Sequence, residues 1–203
     1  MSSESGQRSR HYRLNKRAEH VDDTRRRIVE ATIALHGTEG PARTTIMGIA
    51  QRAGVTRATG YRHFPDQPTL FDACSTHWLL QQVLPNPSSW ARVTDPTERT
   101  RVGLTDIYRF YRAGEPMLTS IYRDRSSLPD DSRRRLDQRD DQFRDLLLAA
   151  YSPRKQRPLL LAILGHALSF WTWRSLCIEH GLEDAEAVGL MVDLATRTAA
   201  LGR

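Results

Sequence analysis

Apolar residues recur along this chain with helical spacing, and the recurrence begins at Asp22. Ile28, Ala31, Thr32 and Leu35 fall at i, i+3, i+4 and i+7, which lines one face of a helix. Gly37, Gly40 and Pro41 end that element. A second, short helix is predicted from Thr45, whose hydroxyl suits an N-cap, with Ile46, Ile49, Ala50 and Ala53 repeating the spacing. Gly54 follows, where a left-handed residue terminates a helix at little cost. Thr56 is placed to cap a third helix that runs through Tyr61 and His63 and stops before Pro65.

The remainder reads as further helices with polar breaks. A fourth, from about Pro68 to Leu84, offers Phe71, Cys74 and Trp78 on one face and runs into a loop, PNPSS. A fifth carries Leu104, Ile107, Tyr108 and Tyr111. After the break at Gly114, Glu115 and Pro116, a shorter one carries Leu118, Ile121 and Tyr122. Asp130 begins a long charged helix with Leu136, Phe143, Leu147 and Ala150. An apolar helix after Pro158 runs to Gly181. The last carries Val188, Met191, Val192, Ala195 and Ala199 on one face, with Leu190, Leu194 and Leu201 on another. No alternation of period two persists and no internal repeat is apparent, so the predicted fold is all-α.

One uncharged run, Leu159 to Trp173, is short of the roughly 20 apolar residues a membrane span needs, and His166, Ser169 and Thr172 dilute it. It reads as a buried core helix, with His166 a core or interface histidine. Residues 1–20 have no apolar periodicity. They set Arg8, Arg10, Arg13, Lys16 and Arg17 among Ser, Gly and Gln, the pattern of a flexible basic arm. Such an arm is either a solvated tail or one that touches DNA.

Charge changes the picture modestly. The 203 residues carry a formal net charge of +6, with 12 basic against 8 acidic residues in 1–74 and 18 against 16 in 75–203. The excess leans toward the N-terminal third, as a polyanionic partner favours. Two cysteines without metal-ligand spacing, and an N-terminus without an apolar leader core, fit a reducing cytoplasm. No catalytic motif, metal-ligand spacing or cofactor fingerprint is present, so neither an enzyme nor a cofactor is implied. The Asp140-Asp141 pair lies among Arg133, Arg134, Arg135 and Arg139 and reads as a solvated, salt-bridged face.

The second and third helices, joined through a glycine, form a helix-turn-helix, whose second member enters the DNA major groove. Ile49, Ala50, Ala53 and Val55 are predicted to point inward. Arg57, Thr59, Tyr61, Arg62 and His63 give the second helix more polarity than a core element needs. At Thr45–Phe64, TIMGIAQRAGVTRATGYRHF, the chain resembles the tetracycline-repressor (TetR) family, whose signature is close to T-x-x-x-IA-x-x-AGV-x-x-x-T-x-Y-x-HF. The resemblance is specific over about residues 24–75 and architectural thereafter.

That resemblance implies a DNA-binding surface of Thr45, Thr56, Arg57, Ala58, Thr59 and, beyond them, Tyr61, Arg62 and His63. Arg57 and Thr59 sit where the family reads base edges, Tyr61 and His63 where it grips phosphates. Arginine can be bidentate to guanine, while hydroxyls and helix N-termini mainly set register. Gln67 stands where the family commonly has lysine, Gly60 where it has a larger apolar residue, and Met47 where some members have arginine. The resemblance also implies three segments: the arm at 1–20, the helix-turn-helix domain at 21–66, and a ligand-binding and dimerisation body at 67–203.

For the body, an unidentified small-molecule effector is the implied partner. The aromatic candidates to line its pocket are Trp78, Tyr108, Tyr111 and Tyr122, with Phe143, Phe170, Trp171 and Trp173. Ordinary core packing is the alternative for each of them. The last two helices are apolar over more than one face, as a homodimer interface requires, and a two-fold dimer matches a near-palindromic operator. The function so implied is a ligand-responsive regulator, in family habit a repressor. An architectural DNA-binding protein without an effector stays open beside it.

Overall fold

The computed structural model describes residues 3–151 and 157–201, with side chains from residue 21 onward. No strand occurs among the described residues. Helix α1 (Ser3–Thr38) is followed by α2 (Ile46–Ala53), α3 (Arg57–His63) and α4 (Gln67–Leu79). The body then runs through α5 (Pro87–Ala91), α6 (Pro96–Ala113), α7 (Glu115–Arg123), α8 (Asp130–Leu148), α9 (Arg157–Ala167), α10 (Phe170–Arg174) and α11 (Asp184–Ala200). No described helix is long and apolar enough to cross a membrane.

Three segments differ from their sequence reading. The helical backbone of α1 extends back to Ser3, which corrects the expectation of an irregular arm over 1–20. Apolar periodicity marks where a helix packs, whereas helical backbone needs only residues that tolerate it, and residues 7–20 contain neither proline nor glycine. The five basic side chains of that stretch lie outside the described residues. The PNPSS segment is not all loop, because Pro87 starts α5, which buries Trp90 completely. Trp90 donates from Nε1 to Asp106 Oδ2 at 3.0 Å.

The apolar helix after Pro158 is broken as well. It stops at Ala167, resumes as α10 at Phe170, and closes in a π-helical turn over Ser175–Glu179. The break has a physical cause in α6. Tyr108 and Tyr111 donate their hydroxyl hydrogens to the carbonyls of Ala167 and Leu168, at 2.9 and 2.7 Å. These bonds satisfy carbonyls that a helix end leaves without intrahelical partners.

The described side chains form two apolar cores. The smaller one gathers Ile28, Leu35, Ile49, Ala53 and Phe64 and reaches into α4 through Leu70 and Cys74. The larger one centres on Leu104, Ile107, Leu147, Leu160, Leu164 and Val192, where α6, α8, α9 and α11 pack together. Trp78 and Leu79, one turn beyond Cys74, pack against this larger core. The first core therefore continues past residue 66, the limit read from sequence, and α4 belongs to both.

The α8 surface is paired as its composition implies, with Arg133 on Asp130, Arg134 on Asp131 and Arg144 on Asp141. His166 is satisfied locally, its Nδ1 lying 3.2 Å from Thr172 Oγ1.

Candidate functional site

Both helices of the predicted helix-turn-helix are capped by their own threonines. Thr45 Oγ1 accepts from the Gly48 N–H at 3.1 Å, and Thr56 Oγ1 from the Thr59 N–H at 3.2 Å. Such caps contribute about 1 kcal/mol each. Gly54 adopts φ 64° and ψ 39°, a left-handed conformation that costs a side-chain-bearing residue roughly 1–2 kcal/mol. Its N–H returns to the carbonyls of Ala50 and Gln51, which turns the chain sharply between α2 and α3. Ile49, Ala50 and Ala53 are buried and Val55 is half-buried, as predicted.

Two arginines of α1 hold this turn from behind. Arg27 bonds the carbonyls of Ala53 and Gly54, at the end of α2. Arg25 bonds the His63 carbonyl at 3.2 Å, at the end of α3, and its guanidinium lies 4.3 Å from the centre of the Phe64 ring. Cations at helix C-termini complement the partial negative charge of the last carbonyls. These arginines are thus occupied inside the fold.

What they hold in place is a helix with no buried residue. Arg57, Ala58, Tyr61 and Arg62 are exposed, Thr59 and His63 half-buried, and the two capping threonines exposed. Arg57 Nη2 lies 3.4 Å from the Tyr61 hydroxyl, and its guanidinium 5.5 Å from that ring. Partial burial, then the charges of Arg62 and Arg25, push the pKa of the His63 imidazole down from its ordinary value. Met47 projects from α2 with 72% of its surface exposed. The exposed side of α3 carries donors and no carboxylate, which suits a polyanion.

Farther into the molecule, a cavity of about 250 Å³ opens between α1, α4, α6, α7 and α8. Phe71, Trp78 and Phe110 form an aromatic wall, with Trp78 and Phe110 packed edge to face at 6.0 Å. Gly114, at the α6–α7 junction, makes room for the indole, since a Cβ there would lie 2.9 Å from Trp78 Cη2.

Of the eight aromatic residues proposed from sequence, only Trp78 lines this cavity. Tyr108 and Tyr111 are core residues whose hydroxyls serve the α9 break. Trp173 is buried, with Nε1 on Asp184, which Arg112 also grips through two bonds of 2.7 and 2.8 Å. Phe143 packs on Trp90, ring centres 5.1 Å apart. Tyr122 stacks on Phe170 at 5.0 Å, and with the 44% exposed Trp171 they border a separate cleft.

The cavity's polar groups are ones the sequence reading missed. His36 comes from α1, Ser75 from α4, and Ser132, Arg135 and Arg139 from α8. Arg139 stands half-buried beside an otherwise solvated charged face. Its position in the helix gave one signal, since it lies three residues after Leu136 and four before Phe143, on the apolar side. His36 follows Leu35 and lies four residues after Thr32, again on the buried face.

Comparison with known proteins agrees with this geometry. Residues 28–74 match the model of the family described as bacterial regulatory proteins, tetR family. No curated protein sequence matches the chain. Among solved structures, a TetR-like transcriptional regulator from Rhodococcus sp. RHA1 is similar in fold, with 18% identity and a TM-score of 0.61 over 89% of this chain and 97% of its own. PfmR, a TetR family transcriptional regulator from Thermus thermophilus, has 19% identity and a TM-score of 0.59 over 84% and 97%. AibR, solved in complex with isovaleryl coenzyme A and operator DNA, has 21% identity and a TM-score of 0.60 over 84% and 97%.

Proposed function

We propose that the chain, whose residues 28–74 match the tetR family model, is a transcriptional regulator that binds a near-palindromic operator as a homodimer and is released by a small-molecule effector. The observation that carries this reading is α3, a capped helix held from behind by Arg25 and Arg27 with nothing covering its polar side. Arg57 reads a base edge in the major groove, while Thr45, Tyr61 and His63 hold phosphates.

The homodimer forms through the last helices. Helices α9 and α11 pack on each other, yet leave Leu159, Leu161, Leu190 and Leu194 exposed. A patch of that kind is stable in water when a second copy covers it, and a two-fold axis repeats α3 along the duplex. The effector occupies the Trp78 cavity. AibR, with the same architecture, accommodates an acyl coenzyme A together with operator DNA, which supports an effector-responsive reading. Repression is the mode we propose, because release by an effector then switches transcription on.

The test is operator binding by gel shift after selection of a site from random DNA. Arg57→Ala should weaken the operator by about 1–3 kcal/mol and relax base preference at one position in each half-site. Tyr61→Phe should weaken specific and non-specific DNA alike. Unchanged affinity and unchanged preference in Arg57→Ala would remove α3 from base reading.

A further inference from the structure

We propose that the cavity between α1, α4, α6, α7 and α8 takes an apolar monocarboxylate, its carboxylate received by Arg139 and Arg135 and its body by Phe71, Trp78 and Phe110. The proposal rests on the effector-responsive reading above and assigns that effector a chemical class.

The first argument is charge. The cavity wall contains two arginines and no carboxylate. Arg139 uses Nε and Nη2 on Asp140 and on the Tyr122 hydroxyl, 2.6 Å away. Arg135 uses Nη2 on Asp72 and Ser132. Among the described residues, Nη1 of both arginines and Nε of Arg135 have no hydrogen-bond partner. Their anchors fix the guanidinium planes and leave donors over, the condition for receiving an anion at low ordering cost.

The second argument is the rest of the wall. Apart from the arginines, His36 and the hydroxyls of Ser75 and Ser132, it is carbon and sulfur, with Met117, Leu118, Ile121 and Leu136 beside the aromatic residues. A highly polar anion such as inorganic phosphate would find too few donors there for all its oxygens, and a buried oxygen left unpaired is penalised. A single carboxylate on an apolar body matches both halves of the site.

The third argument is His36. Its ring is 8% exposed, faces the cavity and, among the described residues, makes no hydrogen bond. Burial pushes its pKa down to about 4, so it is a neutral donor and acceptor at pH 7. An occupant that also touches His36 and Ile33 touches α1, the helix whose Arg25 and Arg27 hold α2 and α3. Effector binding and the DNA-reading helix therefore share one element, and a shift of α1 reaches α3 without an intermediary.

The experiment titrates the full chain with octanoate and phenylacetate and with their uncharged amides, octanamide and phenylacetamide, followed by calorimetry and by the part of the tryptophan fluorescence that Trp78→Phe removes. At least one carboxylate should bind about tenfold or more tightly than its amide. Arg139→Gln and Arg135→Gln should each erase most of that preference while leaving amide affinity in place, which also reports an intact cavity. Should Arg139→Gln fail to fold, the half-exposed Arg135 carries the same test. Equal affinity for acid and amide, preference surviving in both variants, or no binding of any of the four would overturn the assignment. Operator binding measured on the same preparations separates the two readings, because a chain that binds DNA and ignores these acids loses only the ligand class.

Discussion

The carboxylate of Asp124, at the end of α7, accepts a hydrogen bond from the backbone N–H of Ala42 at 3.1 Å, across 82 positions of sequence. Arg123 completes the contact, its Nη2 bonding Glu39 O at 3.0 Å and its Nε bonding Asp124 at 2.8 Å. Gly40 lies under this pair at φ 90°, and a Cβ there would run into both side chains. The body is thereby pinned to the loop between α1 and α2.

Removing the pin should cost stability. Asp124→Ala leaves the Ala42 N–H and the Arg123 guanidinium without their partner, a loss of about 1–3 kcal/mol in urea unfolding. Asp124→Asn keeps one acceptor and should recover part of it. Gly40→Ala should be at least as harmful as Asp124→Ala, since left-handed strain adds to the clash. The hydrogen bond and charge of Arg123 hold the Asp124 carboxyl below the usual carboxylate range. Its contribution is accordingly present above the unfolded pKa and lost as pH falls through the folded one.

His36 sets a separate pH dependence. Its folded pKa of about 4 lies below the unfolded 6.5, so the unfolded chain binds more protons between those values. Stability should be complete above pH 6.5 and fall as pH drops toward 4, by about 3 kcal/mol in all. Urea midpoints taken at several pH values between these limits should show this slope. His36→Leu should flatten it. A slope unchanged in the variant would assign the effect to other groups.

Gly60 is the cheapest position to improve. It sits inside α3, where glycine costs roughly 0.5–1 kcal/mol relative to alanine. A Cβ there would meet Ile46 Cγ2 at 4.0 Å, ordinary van der Waals contact. Gly60→Ala should raise the stability of the chain by about that amount in thermal unfolding. Operator affinity should hold, because the new methyl faces α2. A lower melting temperature would mean that α3 needs the freedom of glycine.

The proposed homodimer should be breakable from α11. Arginine in place of Leu190 and Leu194 together should give a monomer in sedimentation velocity with its helix content intact. Operator affinity should fall by about tenfold or more, since one α3 then binds without its two-fold mate. A double variant that stays dimeric would place the interface elsewhere.

Local chemistry was legible in the sequence. The Thr45 and Thr56 caps, the Gly54 turn and the split faces of α11 depend on neighbours within a few positions, and all appear as read. The cavity was not legible, because aromatic identity says nothing about where a ring points once helices cross. Tyr108 and Tyr111 look like ligand contacts until their hydroxyls are found on Ala167 and Leu168. Arg139 looks like surface until α7 and its Tyr122 close over it. Both outcomes are set by partners between 17 and 59 residues away.

The 13 residues of α4 lend Leu70 and Cys74 to one core and Trp78 and Leu79 to the other. Neither core can melt and leave its neighbour whole, because fraying either end of a helix this short unravels the other. Heating should therefore give one calorimetric peak, with equal van 't Hoff and calorimetric enthalpies. The thiol of Cys74, 3.8 Å from the Val29 carbonyl and pushed up to about 12 by burial, would mark the same event by becoming open to alkylation. Physically, the helix-turn-helix and the helical body should then behave as a single thermodynamic unit.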